Sequence, residues 1–252
     1  MPKIPIALQM YTLRDDTAQD FAGTIRKVAA IGYAAVELAG RGSLSVQELS
    51  SLLADNHLSV AGSHIGLDDL EADLPKVIQE NLALGNRYIV VPYLAEERRR
   101  TADDYKRLAG TLNEFGETLR SSGLTLCYHN HDFEFKPLDN GQIGEDILLE
   151  NTDPSLVKAE VDTYWVLKAG HDPVAFIKKH PGRVPLIHLK DMDPADDSFA
   201  PVGTGRLPLD ELVAAAPEVG AEYLIVEQDV CKGSAIEAVT LSYNNLKAKG
   251  YA

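Results

Sequence analysis

Short apolar runs rich in Val, Ile and Leu recur along the chain, each followed by a longer stretch with apolar positions at helical spacing. The runs predict eight strands: Ile4–Met10, Ala34–Leu38, Ser59–His64, Tyr88–Pro92, Leu124–His129, Val157–Asp162, Val184–Leu189 and Tyr223–Glu227. The stretches between them predict helices near 17–30, 45–55, 72–84, 102–121, 142–150, 172–179, 207–216 and 234–248. Strand and helix in steady alternation are the signature of a parallel α/β fold. Local start signals support several helices: Ser45 with Glu48, Thr101 before Asp103 and Asp104, and Asp172 before Pro173. Gly123 and Gly170 follow helical runs and predict C-terminal stops. Connections are short and no Pro-rich or Gly/Ser-rich linker interrupts them, so residues 1–252 read as one domain.

Eight such units in 252 residues predict a closed (β/α)₈ TIM barrel, for which roughly 250 residues is typical. An open doubly wound sheet is the alternative, and the lack of a GxGxxG after the first strand weighs against it. The strand ends then become the informative positions, because a barrel of this kind builds its site from the C-terminal ends of its strands. The fifth run closes on Tyr128-His129-Asn130-His131-Asp132-Phe133-Glu134-Phe135. Three later runs also end on polar groups: Val161-Asp162, His188-Leu189-Lys190-Asp191 and Val226-Glu227-Gln228-Asp229. His129, Asp162, His188 and Glu227 therefore form a candidate divalent-metal set, with His131 as an alternative ligand or its partner. Imidazole with carboxylate suits Mn, Co, Zn or Fe better than Mg. Such an ion polarises a carbonyl and acidifies the neighbouring C–H, so that a nearby carboxylate can remove the proton. Gln9, Tyr11 and Glu37 at the first two strand ends, His64 at the third, and Trp165 after Asp162 are candidate contacts to a polyol. Lys190 and Asp191 read equally well as a rim ion pair, and Gly203-Thr204-Gly205 reads as a turn rather than a phosphate loop.

Charge narrows the choice of partner. A net charge of −14 disfavours nucleic acid and anionic membrane. No apolar run approaches the roughly 20 residues of a membrane span. Two cysteines, Cys127 and Cys231, form no CxxC and suit a reducing compartment. The first residues run directly into a strand pattern instead of a signal peptide, so a cytoplasmic location is expected.

The whole chain resembles the xylose isomerase-like TIM-barrel superfamily, in the branch of sugar phosphate isomerases/epimerases. The resemblance is carried by Leu8-Gln9-Met10-Tyr11-Thr12-Leu13-Arg14-Asp15, Tyr128-His129-Asn130-His131 with Glu134, Val161-Asp162-Thr163, His188-Leu189-Lys190-Asp191, Val202-Gly203-Thr204-Gly205 and Glu227. It implies one divalent metal, a small sugar substrate and α-proton abstraction to an enediolate. Epimerases of this superfamily hold the metal with Glu, Asp, His and Glu; Asp162, His188 and Glu227 match the last three, and His129 stands where the first Glu is expected. Glu227 is then the matching acid/base, with Glu134 or His131 as stand-ins for the second. The inosose dehydratase branch carries a similar histidine-rich fifth strand, so loss of water from a ketocyclitol or 3-ketosugar is the alternative, with Lys190 or His131 protonating the leaving group. A metal-free sugar-binding barrel is a third reading. Arg206 and Lys190 are the only candidates near a substrate phosphate. The resemblance also makes a homo-oligomer possible.

Overall fold

The apolar strand runs pair side by side because each has one face for the barrel interior and one for the surrounding helices. The computed structural model describes residues 3–252. Its barrel strands are β1 (Ile6–Gln9), β2 (Ala35–Leu38), β3 (Ser59–His64), β4 (Tyr88–Val91), β5 (Thr125–His129), β6 (Val157–Asp162), β7 (Leu186–Leu189) and β10 (Tyr223–Val226). They follow the order β1-β10-β7-β6-β5-β4-β3-β2, all parallel, and the ladder from β1 to β10 closes the barrel. Two short strands, β8 (Asp191–Met192) and β9 (Phe199–Ala200), form an antiparallel ribbon outside it, in a stretch expected to be loop.

Helices α1 (Arg14–Ile31), α2 (Val46–Asp55), α3 (Leu67–Ala83), α4 (Ala102–Ser121), α5 (Gly144–Asn151), α7 (Pro173–Lys178), α8 (Leu209–Val219) and α9 (Ala235–Ala248) link the barrel strands or follow the last. Ser45 with Glu48, and Thr101 with Asp104, make reciprocal capping boxes at the starts of α2 and α4. Two helices begin earlier than expected. In each, an aspartate breaks the helical backbone and recaps it: Asp20 Oδ1 accepts from Gly23 N (2.8 Å), and Asp73 Oδ1 from Lys76 N (3.1 Å). The expected starts near 17 and 72 lie close to these internal restarts. The first strand is shorter than expected because Gln9 Oε1 accepts from Tyr11 N and turns Met10–Leu13 into a 3₁₀ helix. A short helix, α6 (Thr163–Lys168), leaves β6 directly and is capped by Asp162 Oδ1 on Trp165 N (3.0 Å).

Side chains alternate along each strand, so residues two apart share a face. Inside the barrel, Ala7, Ala35, Ala61, Val90, Cys127, Leu186 and Ile225 belong to one buried apolar cluster, separate from the two larger ones packed under the helices. Two residues beyond Ala7, Ala35, Cys127, Leu186 and Ile225 come Gln9, Glu37, His129, His188 and Glu227. The polar groups therefore form the next layer toward the C-terminal mouth. That layer is built tightly: a Cβ on Gly62 would lie 2.5 Å from Glu37 Oε1, so glycine is what lets the Glu37 carboxylate sit against β3.

Behind β5, Glu145 is a buried acid whose Oε2 has no hydrogen-bond partner. Burial, reinforced by Glu134 and Asp146, raises its carboxyl from the usual 4.5 to about 8. The folded protein thus keeps a proton that the unfolded chain releases above about 4.5, so this site loses stability as pH rises through that window and no more beyond about 8. Between pH 5.5 and 8.5, the parent is expected to lose about 1–3 kcal/mol that Glu145→Gln retains. Thermal melts of both proteins at the two pH values check this; parallel melting temperatures would contradict it.

Candidate active site

The barrel mouth opens into a cavity of about 530 Å³ lined by Tyr11, Arg14, Ala39, His64, Pro92, Tyr93, His129, His131, Lys190, Glu227, Asp229 and Val230. Adjacent strands bring the donors into register: His129 lies opposite Glu160, and Asp162 opposite His188. One donor atom from each of His129, Asp162, His188 and Glu227 lies within 4.8 Å of every other. All four side chains are buried. Asp162 Oδ2 has no hydrogen-bond partner, although Lys190 Nζ stands 3.2 Å away and His129 Nε2 3.6 Å. A mixed imidazole and carboxylate set with an orphaned buried oxygen fits a divalent ion of the Mn, Co, Zn or Fe type.

A second tier orients this set from beneath. His129 Nδ1–H donates to Glu160 Oε2 (2.8 Å), leaving Nε2 for the mouth. His188 meets Glu227 Oε2 through Nδ1 (3.0 Å) and Glu37 Oε2 through Nε2 (2.7 Å). Carboxylates behind ligand imidazoles fix the ring orientation and tautomer, and they raise ligand basicity. Glu37 is itself held by Gln9 Nε2 (2.7 Å). Glu160 and Asp229 belong to this machinery and were not singled out from sequence. Glu160 lies two positions before Asp162 on one strand face, and Asp229 two after Glu227.

Lys190 is buried in the cavity wall. Its ammonium touches Asp229 Oδ1 (2.8 Å), Glu227 Oε2 (2.9 Å) and Asp162 Oδ2 (3.2 Å). Burial opposes its charge, but Asp162, Glu227 and Asp229 outweigh that and push its pKa up, so it stays protonated. Burial would also raise Glu227, yet Lys190 and the His188 hydrogen bond hold its carboxyl well below the usual range. Glu227 is therefore an ionised carboxylate beside a protonated ammonium. Burial and Lys190 lower His131 to about 4, so it is neutral at pH 7; it lines the cavity, and its Nδ1 is buried without a hydrogen-bond partner. Its ring stacks on Phe133 and lies against Tyr93 and Trp165.

Several expected contacts lie elsewhere. Both Glu134 oxygens are taken, Oε1 by Tyr128 Oη (2.6 Å) and Oε2 by His131 N (2.7 Å), so it pins the loop carrying His131 rather than facing substrate. Gln9 and Glu37 are completely buried beneath the cavity and support the histidines. Arg206 pairs with Asp197 (2.7 Å) and lies on Met192 Sδ, outside the cavity lining. The Gly203–Gly205 turn points its amides inward: Gly203 N and Gly205 N both donate to Asp191 Oδ2 at 2.9 Å. Asp191 is thus a loop organiser and not a partner of Lys190. Trp165 stands behind His131, 5.4 Å from Lys190 Nζ, while Tyr11 and His64 do line the cavity. Tyr93, not anticipated from sequence, is half exposed at the rim.

A closed parallel barrel with imidazole and carboxylate donors gathered at its mouth defines a TIM-barrel protein with an enzyme-like site. The chain belongs to the xylose isomerase-like TIM barrel family, whose model matches residues 25–240. An inosose dehydratase of Clostridium tetani (strain Massachusetts / E88) is 33% identical over 104 residues, which cover 40% of this chain and 33% of that one. The match thus spans about a third of that relative's length. An inosose dehydratase of Lacticaseibacillus casei is 24% identical over 271 residues, covering 92% and 88%. Among solved structures, a sugar phosphate isomerase/epimerase from Parabacteroides distasonis ATCC 8503 is 26% identical, with a TM-score of 0.83 over 99% of this chain and 96% of that one. Among the described residues, no helix is long and apolar enough to cross a membrane.

Proposed function

We propose that the protein is a divalent-metal-dependent lyase that removes water from a ketocyclitol or 3-ketosugar. The carrying observation is the one-sidedness of the acid–base equipment. Glu227, Asp229 and Lys190 converge within hydrogen-bonding reach, whereas the fifth-strand position holds His129, with Nδ1 committed to Glu160. Epimerisation needs a proton taken from one face of a carbon and returned to the other. Elimination needs one base and one acid. The likeness to inosose dehydratases supports the same reading.

A metal held by His129, Asp162, His188 and Glu227 would polarise the substrate carbonyl and stabilise negative charge on its oxygen. Glu227 Oε2 is engaged by His188 and Lys190, so Oε1 is the oxygen left to take the α-proton. The C–H electron pair passes into the enolate and then forms the C=C bond as the β-C–O bond breaks. Lys190 gives a proton to the departing oxygen, which leaves as water. The proton on Glu227 returns to Lys190 across their 2.9 Å contact, and both groups are reset. His131 and His64 line the wall and floor where ring hydroxyls would be held.

A second reading, isomerisation or epimerisation of a small sugar, is supported by the full-length likeness to the sugar phosphate isomerase/epimerase. In that case the same enolate is reprotonated instead of losing hydroxide. Incubation of Mn- or Co-loaded protein with ketocyclitols and 3-ketosugars separates the two. A conjugated enone absorbance, with product lighter by one water, is expected. An epimer of unchanged mass would support the second reading and overturn the first.

A further inference from the structure

We propose that Arg14 is a positioning residue: it fixes Asp229, and through Asp229 it holds the Lys190 ammonium where that group protonates the departing oxygen. This role presupposes the elimination reading, and it gives a task to Thr12 and Arg14, which that reading leaves unused. β10 ends at Val226 and α9 begins at Ala235, so Asp229 lies on the loop between them and outside the barrel ladder. Asp162 and Glu227 hold Lys190 from the ends of β6 and β10, and both belong to the outer donor set. Asp229 makes the shortest of the three contacts, 2.8 Å, and is not in that set. The place of the ammonium therefore depends on a loop residue that something else must hold.

The holders come from the start of the chain, across the seam where β1 and β10 close the barrel. Arg14 Nη2 donates to Asp229 O (2.9 Å), while Nη1 donates to Tyr11 O (3.0 Å). Thr12 Oγ1 accepts from Gln228 N (3.0 Å), one residue earlier in the same loop. A guanidinium presents its donors in a rigid fork, so one side chain can grip two carbonyls, whereas a lysine ammonium is a single point of charge. Hydrogen bonds from a charged donor are also stronger than neutral ones. The Tyr11 ring lies 4.5 Å from the Arg14 guanidinium carbon and steadies it further. At the far end of the loop, Lys232 meets Asp193 (2.9 Å) and Asp196 (3.2 Å), but its side chain is 60% exposed and such solvated pairs hold little. Arg14 and Thr12 are thus the firm anchors beside Asp229. Among the described residues, Arg14 makes no hydrogen bond to Lys190, Glu227 or Asp162, so it acts on the ammonium through Asp229. Loosening Asp229 leaves Glu227 with its own contacts to Lys190 and His188. The base keeps its charge, and the acid loses its place.

The test separates the two halves of the reaction. Arg14→Met keeps the stem and removes the fork; Thr12→Val keeps the shape and removes the acceptor. Both are compared with the parent, metal-loaded, on a ketocyclitol and on its analogue with fluoride in place of the departing hydroxyl. Fluoride is a weak base and leaves with the C–F electron pair, without a proton from Lys190. In Arg14→Met, kcat for loss of water is expected to fall by about 10–10²-fold, the scale of a misplacement of about 1 Å. KM, exchange of the α-proton in D₂O and loss of fluoride are expected to stay near the parent values. Thr12→Val is expected to show the same split at smaller amplitude, and Arg14→Lys to restore little. Trp165, the single tryptophan, lies 5.4 Å from Lys190 Nζ, so its emission without substrate is expected to change alike in Arg14→Met and Asp229→Asn. Equal falls in exchange, water loss and fluoride loss would mean that Arg14 only supports the fold. A raised KM with unchanged kcat would mean that it touches substrate. Either result overturns the proposal, as does Trp165 emission that responds to Asp229→Asn but not to Arg14→Met. A parent that yields an epimer and no alkene fails the elimination reading and this role with it; that failure is read in the parent alone, before any variant.

Discussion

Glu227→Gln is expected to lower kcat by about 10²–10⁴-fold, the range that removal of a positioned general base typically costs. Glutamine keeps the shape and can still accept a hydrogen bond from Lys190, so the fold is expected to survive. It cannot take a proton from carbon. The loss should therefore appear equally in product formation and in exchange of the substrate α-proton with solvent deuterium. The pairing of an ionised Glu227 with a protonated Lys190 underlies this expectation, since each holds the other in its working charge state. A kcat within tenfold of the parent would assign the base elsewhere, with Asp229 the nearest alternative on the cavity wall.

Lys190→Met is expected to have the largest effect on stability. The ammonium touches three carboxylates in a buried setting, and methionine keeps much of the stem volume while removing the charge. Removing one partner of a buried ion cluster typically costs about 3–5 kcal/mol, because the remaining charges stay desolvated and repel one another. For a chain of this size that corresponds to roughly 6–20 °C in melting temperature. Added Mn²⁺ or Zn²⁺ should restore more of that loss than it adds to the parent, since the vacated space is bounded by ligand oxygens. Differential scanning calorimetry with and without metal measures both effects. An unchanged melting temperature would mean that the three acids are not ionised together.

Much of this organisation was legible in the chain because its signals are local. Apolar runs at strand length, Ser45 and Thr101 at helix starts, and polar groups closing the later strands each report on a neighbourhood of a few residues. The outer donor set followed from the same logic, since a strand-end side chain in a closed barrel has only the mouth to face. Glu160 was not recognised, although it shares a strand face with Asp162, because an acid one layer deeper looks like an ordinary strand residue until β2, β3 and β7 are seen around it. Glu134 and Arg206 misled for the opposite reason: both lie beside motif residues in sequence, but Tyr128 claims one and Asp197 the other. Gln9 and Glu37 read as hydroxyl contacts on the floor of a polyol pocket, whereas Gly62 and the register shift in the β2–β3 ladder give Glu37 room beneath the cavity, where it bonds Gln9 and His188. Distances between strands, and not residue types, decide these cases.

The central claim is that Glu227 removes a proton α to a carbonyl and that the resulting enolate loses water. Proton nuclear magnetic resonance of a ketocyclitol in D₂O, with the metal-loaded protein, tests it most directly. The account predicts that the α C–H signal disappears, that an alkene resonance grows with it, and that neither change occurs with Glu227→Gln. A saturably bound ketocyclitol whose α-proton persists, with no alkene formed, would contradict it and make the barrel a sugar-binding protein.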